Sequence, residues 1–143
     1  MKILNSVDDV KVIKFEKINS RNVILDIFSN VNKFFNIKRI FTVKGDFKKD
    51  HSKRGYDAHK NCEQIITCPF GSIQFKVFDG KSKRVFTIRD NNKAIYVPNH
   101  IWTETIYKKE KTTLVCYCSN LYDEKSYIRD IESFINFRKL KSK

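Results

Sequence analysis

Apolar and polar residues alternate along most of this chain in short runs, and turn-forming residues punctuate them. Residues 10–16 and 23–28 read as short strands separated by a polar break at Asn19-Ser20-Arg21-Asn22. Residues 37–44 read as another strand, followed by a charged polar loop over 45–53. A regular series comes next, with strands expected at 55–60, 64–68, 72–78, 84–89, 94–97, 102–107 and 113–119. Turns separate them, among them Pro69-Phe70-Gly71, Asp79-Gly80-Lys81, Asp90-Asn91-Asn92 and Pro98-Asn99. Many short strands at even spacing predict an all-β sandwich or barrel. The period then changes: Tyr127, Ile128, Ile131, Phe134 and Ile135 recur at helical spacing, with Arg129, Asp130, Glu132 and Ser133 on the other face. Ser126 could cap that helix, and Tyr127 and Asp130 are read as helix packing and capping; the helix should lie across one mouth or side of the barrel, and Lys139 to Lys143 should fray.

Composition narrows the function classes. A length of 143 residues fits one domain, and 41% hydrophobic residues with 12 Phe and 6 Tyr supply a core. No apolar run is long enough to span a membrane, and the N-terminal residues pass into Asp8-Asp9 without a signal-peptide core, so a cytoplasmic protein is expected. The net charge of +13 invites a nucleic-acid reading. The lysines are dispersed, however, and no Arg-rich helix or RNA-binding aromatic signature accompanies them, so the charge is read as a solvated surface and an anionic small ligand. Cys62, Cys68, Cys116 and Cys118 form no Cys-x-x-Cys pair and are read as free thiols; Cys116 and Cys118 share a strand face with side chains roughly 7 Å apart. The glycines at 45, 55, 71 and 80 are isolated, so no phosphate-binding glycine loop, dinucleotide cofactor or ATP site is expected.

The stretch Arg54-Gly55-Tyr56-Asp57-Ala58-His59-Lys60, with Gln64 and Gly71, nearly spells the metal motif of a small barrel: His-x-His, four residues, Glu, six residues, Gly. Here Asp57 stands at the first His and Gln64 at the Glu, and neutral Gln is a poor ligand for a divalent cation. The spacing is kept while the donor set is not, which argues for acid/base chemistry without a metal. Asp57 and His59 are two residues apart on a strand, so their side chains share a face.

Taken with Phe35 to Phe41, Val77-Phe78-Asp79-Gly80, Tyr96-Val97-Pro98, Trp102-Thr103-Glu104 and Tyr122 to Asp130, all in this order, the motif resembles the sugar 3,4-ketoisomerases, metal-free cupins acting on dTDP-4-keto-6-deoxyglucose. The resemblance covers roughly residues 10 to 137. It implies a cupin-like double-stranded β-helix (jelly roll) with a short C-terminal helix. It also implies a homodimer, a dTDP-linked 4-keto-6-deoxyhexose as substrate, no cofactor, and a role in making deoxyamino sugars. The chain departs from the family pattern at Asp57, where the family has the His presumed to be the base, and at Thr42, where it often has Tyr.

Moving a carbonyl from C4 to C3 requires a base near both carbons and a donor for the developing oxyanion. Two assignments follow from the residues. Either Asp57 is the base, its usual value of about 3.9 raised by burial, or His59 takes the proton while Asp57 orients it; His59 is the preferred titrating group. Arg54 is the candidate for holding the pyrophosphate. Gln64 would bond sugar hydroxyls, Trp102 would line the sugar pocket or pack, and Tyr122 and Arg129 are further candidates for ligand contact. A catalytically silent nucleotide-sugar-binding cupin and an epimerase on the same substrate are the alternative readings.

Overall fold

The computed structural model describes residues 4–29, 31–45 and 53–142. Twelve strands are found there: β1 (Lys11–Ile13), β2 (Glu16–Ser20), β3 (Val23–Ile27), β4 (Arg39–Lys44), β5 (Lys53–His59), β6 (Gln64–Phe70), β7 (Ser72–Phe78), β8 (Lys83–Arg89), β9 (Ala94–Val97), β10 (Trp102–Tyr107), β11 (Thr113–Cys118) and β12 (Tyr127–Ile128). One α-helix, α1 (Ile131–Lys141), closes the chain. Two five-stranded antiparallel sheets, ordered β1-β9-β6-β11-β4 and β12-β5-β10-β7-β8, face each other, and β2-β3 forms a separate hairpin. This is the expected all-β jelly roll with a C-terminal helix.

Alternation builds the sheets. Along β7, Ile73, Phe75 and Val77 point inward while Ser72, Gln74 and Lys76 are only half-buried; along β8, Phe86 and Ile88 do the same between Lys, Val and Arg residues that face out. Opposite them, Ile66 and Cys68 of β6 and Leu114, Cys116 and Cys118 of β11 complete the core between the sheets. The sheets' outer faces are covered too. Helix α1 lays Phe134 on Trp102, Ala58 and Ile128 of the second sheet. The N-terminal segment lays Phe15, Phe28, Phe34 and Phe35 on Ile65, Ala94, Tyr96 and Tyr117 of the first.

Some boundaries differ from the sequence reading. The polar residues Asn19 and Ser20 belong to strand β2 rather than a break, because Arg21 (φ 47°) and Asn22 (φ 68°) both adopt positive φ, as a two-residue type I′ hairpin turn requires. Residues 46–52 of the expected polar loop lie outside the described residues. The helix starts later than its periodicity suggested: Tyr127 and Ile128 pair with β5, and of the two capping candidates Asp130 rather than Ser126 caps α1, accepting from Ser133 N at 2.9 Å. Helix α1 also continues through Lys141, where fraying was expected from Lys139. Gly71, the last residue of the near-metal motif, has a structural reason to be there. With φ +89° it turns β6 into β7, and a Cβ would fall 2.2 Å from Thr112 Oγ1.

Candidate active site

A β-bulge shapes the cavity. In the β5–β10 ladder Thr103 pairs with Asp57 and Glu104 with Gly55, so Tyr56 is left unpaired. Gly55 (φ +88°) and Tyr56 (φ 54°) both sit in the left-handed region, which turns the strand. In a regular strand Arg54 and Asp57, three positions apart, would face opposite sides. The bulge brings them to one cavity of about 290 Å³, lined also by His59, Gln64, Thr103, Thr105, Tyr107, Tyr127 and Arg129. Its floor is apolar, with Phe41, Val43, Ile66, Phe75 and Leu114.

Within this cavity His59 is 6% exposed and Gln64 7%. Their side chains meet, with His59 Nε2 and Gln64 Nε2 3.2 Å apart. The amide nitrogen can only donate, so the ring accepts there and carries its own proton on Nδ1. Burial, with the positive charges of Arg39 and Arg129 nearby, pushes the imidazole down to about 4, so it is neutral at pH 7. Asp57 moves the other way: burial raises its carboxyl to about 6, opposed by Arg129 and reinforced by Glu124. Arg129 Nη1 lies 3.9 Å from Asp57 Oδ2. Among the described residues Asp57 therefore pairs with Arg129 and His59 with Gln64, and the carboxylate–imidazole bond envisaged from their spacing is not formed. The two groups share a cavity wall but are tuned separately.

The residue opposite His59 is Tyr127, paired with it in register across β5 and β12. The ring centroids are 4.2 Å apart with the rings tilted by 57°, and the Arg129 guanidinium carbon lies over the Tyr127 ring, 4.2 Å from its centroid. The positive charge of Arg39 acts on the Tyr127 hydroxyl, and its Nη2 donates to Cys118 Sγ at 3.5 Å. His59 and Tyr127 together form the wall between the barrel cavity and a second cleft of about 270 Å³, lined by Lys38, Arg39, Asn61, Asn120 and Tyr122 among others.

Of the residues singled out from sequence, Arg54, Asp57, His59, Gln64 and Arg129 converge on the barrel cavity. Tyr122 does not. It is exposed at the rim of the second cleft, where its hydroxyl donates to Glu124 and its ring lies against Tyr127 and Arg39. Trp102 corrects the idea of a sugar-pocket wall: it faces the opposite side of β10 from Thr103 and Thr105, packs on Phe134 with centroids 5.8 Å apart, and donates Nε1–H to Glu104 at 3.1 Å. Strand alternation gives the reason, since positions 103, 105 and 107 share the inner face and 102 and 104 the outer. That same alternation could have marked Thr103, Thr105 and Tyr107 as cavity residues. Tyr127 carried no such signal, because the helical period of its neighbours masked a two-residue strand. Behind the wall, Cys116 and Cys118 share a face as expected, but their sulfurs are 3.7 Å apart rather than roughly 7 Å because both side chains turn toward each other. Among the described residues no three His, Cys, Asp or Glu side chains converge as a metal-ligand set.

Comparison with known proteins gives a consistent set of relatives. Residues 8–139 match the family described as FdtA: WxcM-like, C-terminal. The chain is 33% identical over 125 residues to the TDP-4-oxo-6-deoxy-alpha-D-glucose-3,4-oxoisomerase of Aneurinibacillus thermoaerophilus, covering 87% of this chain and 88% of that one. A solved 3,4-ketoisomerase from Helicobacter canadensis superposes with a TM-score of 0.82 at 28% identity, covering 92% and 98% of the two chains. A variant of the 3,4-ketoisomerase QdtA from Thermoanaerobacterium thermosaccharolyticum, in complex with TDP-4-keto-6-deoxyglucose, does so with a TM-score of 0.82 at 26% identity over 92% and 95%.

Proposed function

The chain belongs to the FdtA (WxcM-like, C-terminal) family, and from that premise we propose how its own residues carry out the reaction. It is a 3,4-ketoisomerase of a TDP-linked 4-keto-6-deoxyhexose, the activity named for its relatives. In such a substrate C3 bears a hydrogen beside the C4 carbonyl. Removing it forms the C3=C4 double bond and places negative charge on O4; returning a proton to C4 and releasing the O3 proton completes the exchange. One hydrogen moves from C3 to C4 and one from O3 to O4, with no change in redox state.

Asp57 is the base in this proposal. The observation that carries it is the contrast inside one cavity: a carboxyl raised to about 6 beside an imidazole lowered to about 4. A base titrating near 6 is mostly ionised at pH 7, and its conjugate acid can still return the proton to C4. Neutral His59, held by Gln64 and Tyr127, serves as a hydrogen-bond donor near the developing oxyanion rather than as the base. Arg129 adds a fixed positive charge beside the same centre. Arg54, at the cavity rim, is assigned to the pyrophosphate, and Gln64 to positioning His59 and the sugar.

A homodimer is the proposed assembly. Val23, Ile24 and Leu25 of the β2–β3 hairpin are 62%, 69% and 54% exposed, an apolar strand that a second copy would cover. A cytoplasmic setting fits the four cysteines, all free and buried, and no helix among the described residues is long and apolar enough to cross a membrane.

The test is Asp57→Asn, assayed with TDP-4-keto-6-deoxyglucose alongside TDP binding. Turnover should fall by about 10²–10⁴-fold while TDP binds with affinity unchanged within a few-fold. Turnover near that of the unsubstituted protein would remove Asp57 from the role of base.

A further inference from the structure

Arg129 has a stronger partner than Asp57. Its Nε donates to Glu124 Oε1 at 2.7 Å and its Nη2 to Glu124 Oε2 at 2.9 Å, a two-pronged pairing that leaves Nη1 to face Asp57 at 3.9 Å. Tyr122 donates its hydroxyl to the same carboxylate, which is thereby held well below the usual range, at about 2, by Arg129 first and Tyr122 second. The fork is set by local structure. Asp123 caps the 3-10 turn Glu124–Ser126 by accepting from Lys125 N at 3.0 Å, and this turn leads directly into β12. Glu124 and Arg129 thus stand on either side of a two-residue strand that is itself paired to β5, the strand carrying Asp57.

The charged and titratable groups facing Asp57 are Arg54 and His59 from β5, Tyr107 from β10, Tyr127 from β12, Arg129 just after it and Glu124 just before it. Arg54 is at the rim, the two tyrosines and His59 are neutral at pH 7, and Arg129 and Glu124 carry opposite charges. These two alone can push the Asp57 carboxylate strongly in either direction. If Arg129 closed to hydrogen-bonding distance, the carboxylate would be pinned in its ionised form and would become a weak base.

We propose that Glu124 is a positioning residue that holds Arg129 back from Asp57, so that Asp57 keeps a proton affinity suited to taking and returning a proton near neutral pH. The catalytic meaning of this rests on the reading of Asp57 as the base. The restraint on Arg129 rests on the fork itself.

The experiment is a carbon-detected NMR titration of the Asp57 carboxyl in the full chain, compared with Glu124→Gln, Glu124→Asp and Arg129→Gln, with the pH dependence of kcat/KM measured on the same proteins. In Glu124→Gln the midpoint of Asp57 should drop by about one pH unit or more, since a negative charge is lost and Arg129 is freed toward Asp57. Glu124→Asp should return it most of the way, and Arg129→Gln should move it upward. Glu124 is exposed, so its variants keep the fold even if Arg129→Gln does not. An Asp57 midpoint unchanged in Glu124→Gln overturns the proposal, leaving the fork a surface ion pair. The rate data then test the underlying reading separately. A carboxyl midpoint that moves while the acid limb of kcat/KM stays in place supports the role of Glu124 and contradicts Asp57 as the base.

Discussion

Tyr127 stands opposite His59 across the short β5–β12 ladder, 4.2 Å between ring centroids with the rings tilted by 57°. Three consequences follow for the chemistry. The imidazole is fixed in orientation by the tilted Tyr127 ring and by Gln64 at Nε2. It is kept dry enough to stay neutral. It also forms, with Tyr127, a partition that separates the barrel cavity from the neighbouring cleft. Asp57, two residues earlier, is on the cavity side of this partition with Arg129.

The pH dependence of the rate distinguishes the two groups. With Asp57 as base, kcat/KM should rise with pH through an acid limb centred near 6, the value to which burial raises the carboxyl. A base of imidazole type at His59 would place the limb near 4 instead. Steady-state kinetics from pH 4.5 to 8 decides between them, provided stability is followed in parallel. His59→Gln should lower kcat by about 10-fold or more without moving the limb, since it removes a donor and not the titrating group.

Stability carries the same two groups with opposite sign. The folded carboxyl of Asp57 titrates near 6, above its ordinary 3.8, so its contribution is fully present below pH 3.8 and is lost as pH rises through 6. The folded imidazole of His59 titrates near 4, below its ordinary 6.5, so its contribution is present above pH 6.5 and is lost as pH falls through 4. Each is on the order of 3 kcal/mol at most, and between pH 4 and 6 they offset each other. Urea denaturation should therefore show a weak slope from this pair in the unsubstituted protein. Asp57→Asn should lose stability on acidification across that window, and His59→Gln should gain it. Parallel pH profiles for all three proteins would show that the two groups are not perturbed as described.

Trp102 provides a control for packing against binding. Its ring is 4% exposed and sits beneath α1 against Phe134, away from the cavity. Trp102→Phe should lower the thermal midpoint, at a cost of about 1–3 kcal/mol, through the volume removed and the lost bond to Glu104. Substrate KM and kcat should stay within about twofold. A KM raised tenfold with the fold intact would return Trp102 to the substrate site.

The architecture was largely legible because alternation and turn residues are local properties: the inward Ile73, Phe75 and Val77 of β7, or the break at Gly71, can be read without knowing any partner strand. The near-metal spacing around Asp57, His59 and Gln64 was legible for the same reason, since residues on one strand share a face by geometry alone. What could not be read was set by register and by exceptions to regularity. The bulge at Gly55-Tyr56 is what lets Arg54 share a cavity with Asp57. The pairing of Tyr127 with His59 joins residues 68 positions apart, and nothing in the run Tyr127 to Ile135 announces that its first two residues are strand. Nor could spacing tell that Asp57 would pair with Arg129 rather than with His59, because that depends on where the turn at Glu124 to Ser126 sets Arg129 down.

The most direct test of the account is a proton NMR time course of the purified protein with TDP-4-keto-6-deoxyglucose in deuterated water, following the C3 and C4 hydrogens, with Asp57→Asn run beside it. The C3 hydrogen should be lost and a 3-keto product carrying deuterium at C4 should appear, at a rate the substitution reduces by about 10²–10⁴-fold. Substrate left unchanged by the unsubstituted protein, with TDP binding still seen by line broadening, would contradict it and leave a nucleotide-sugar-binding barrel without turnover.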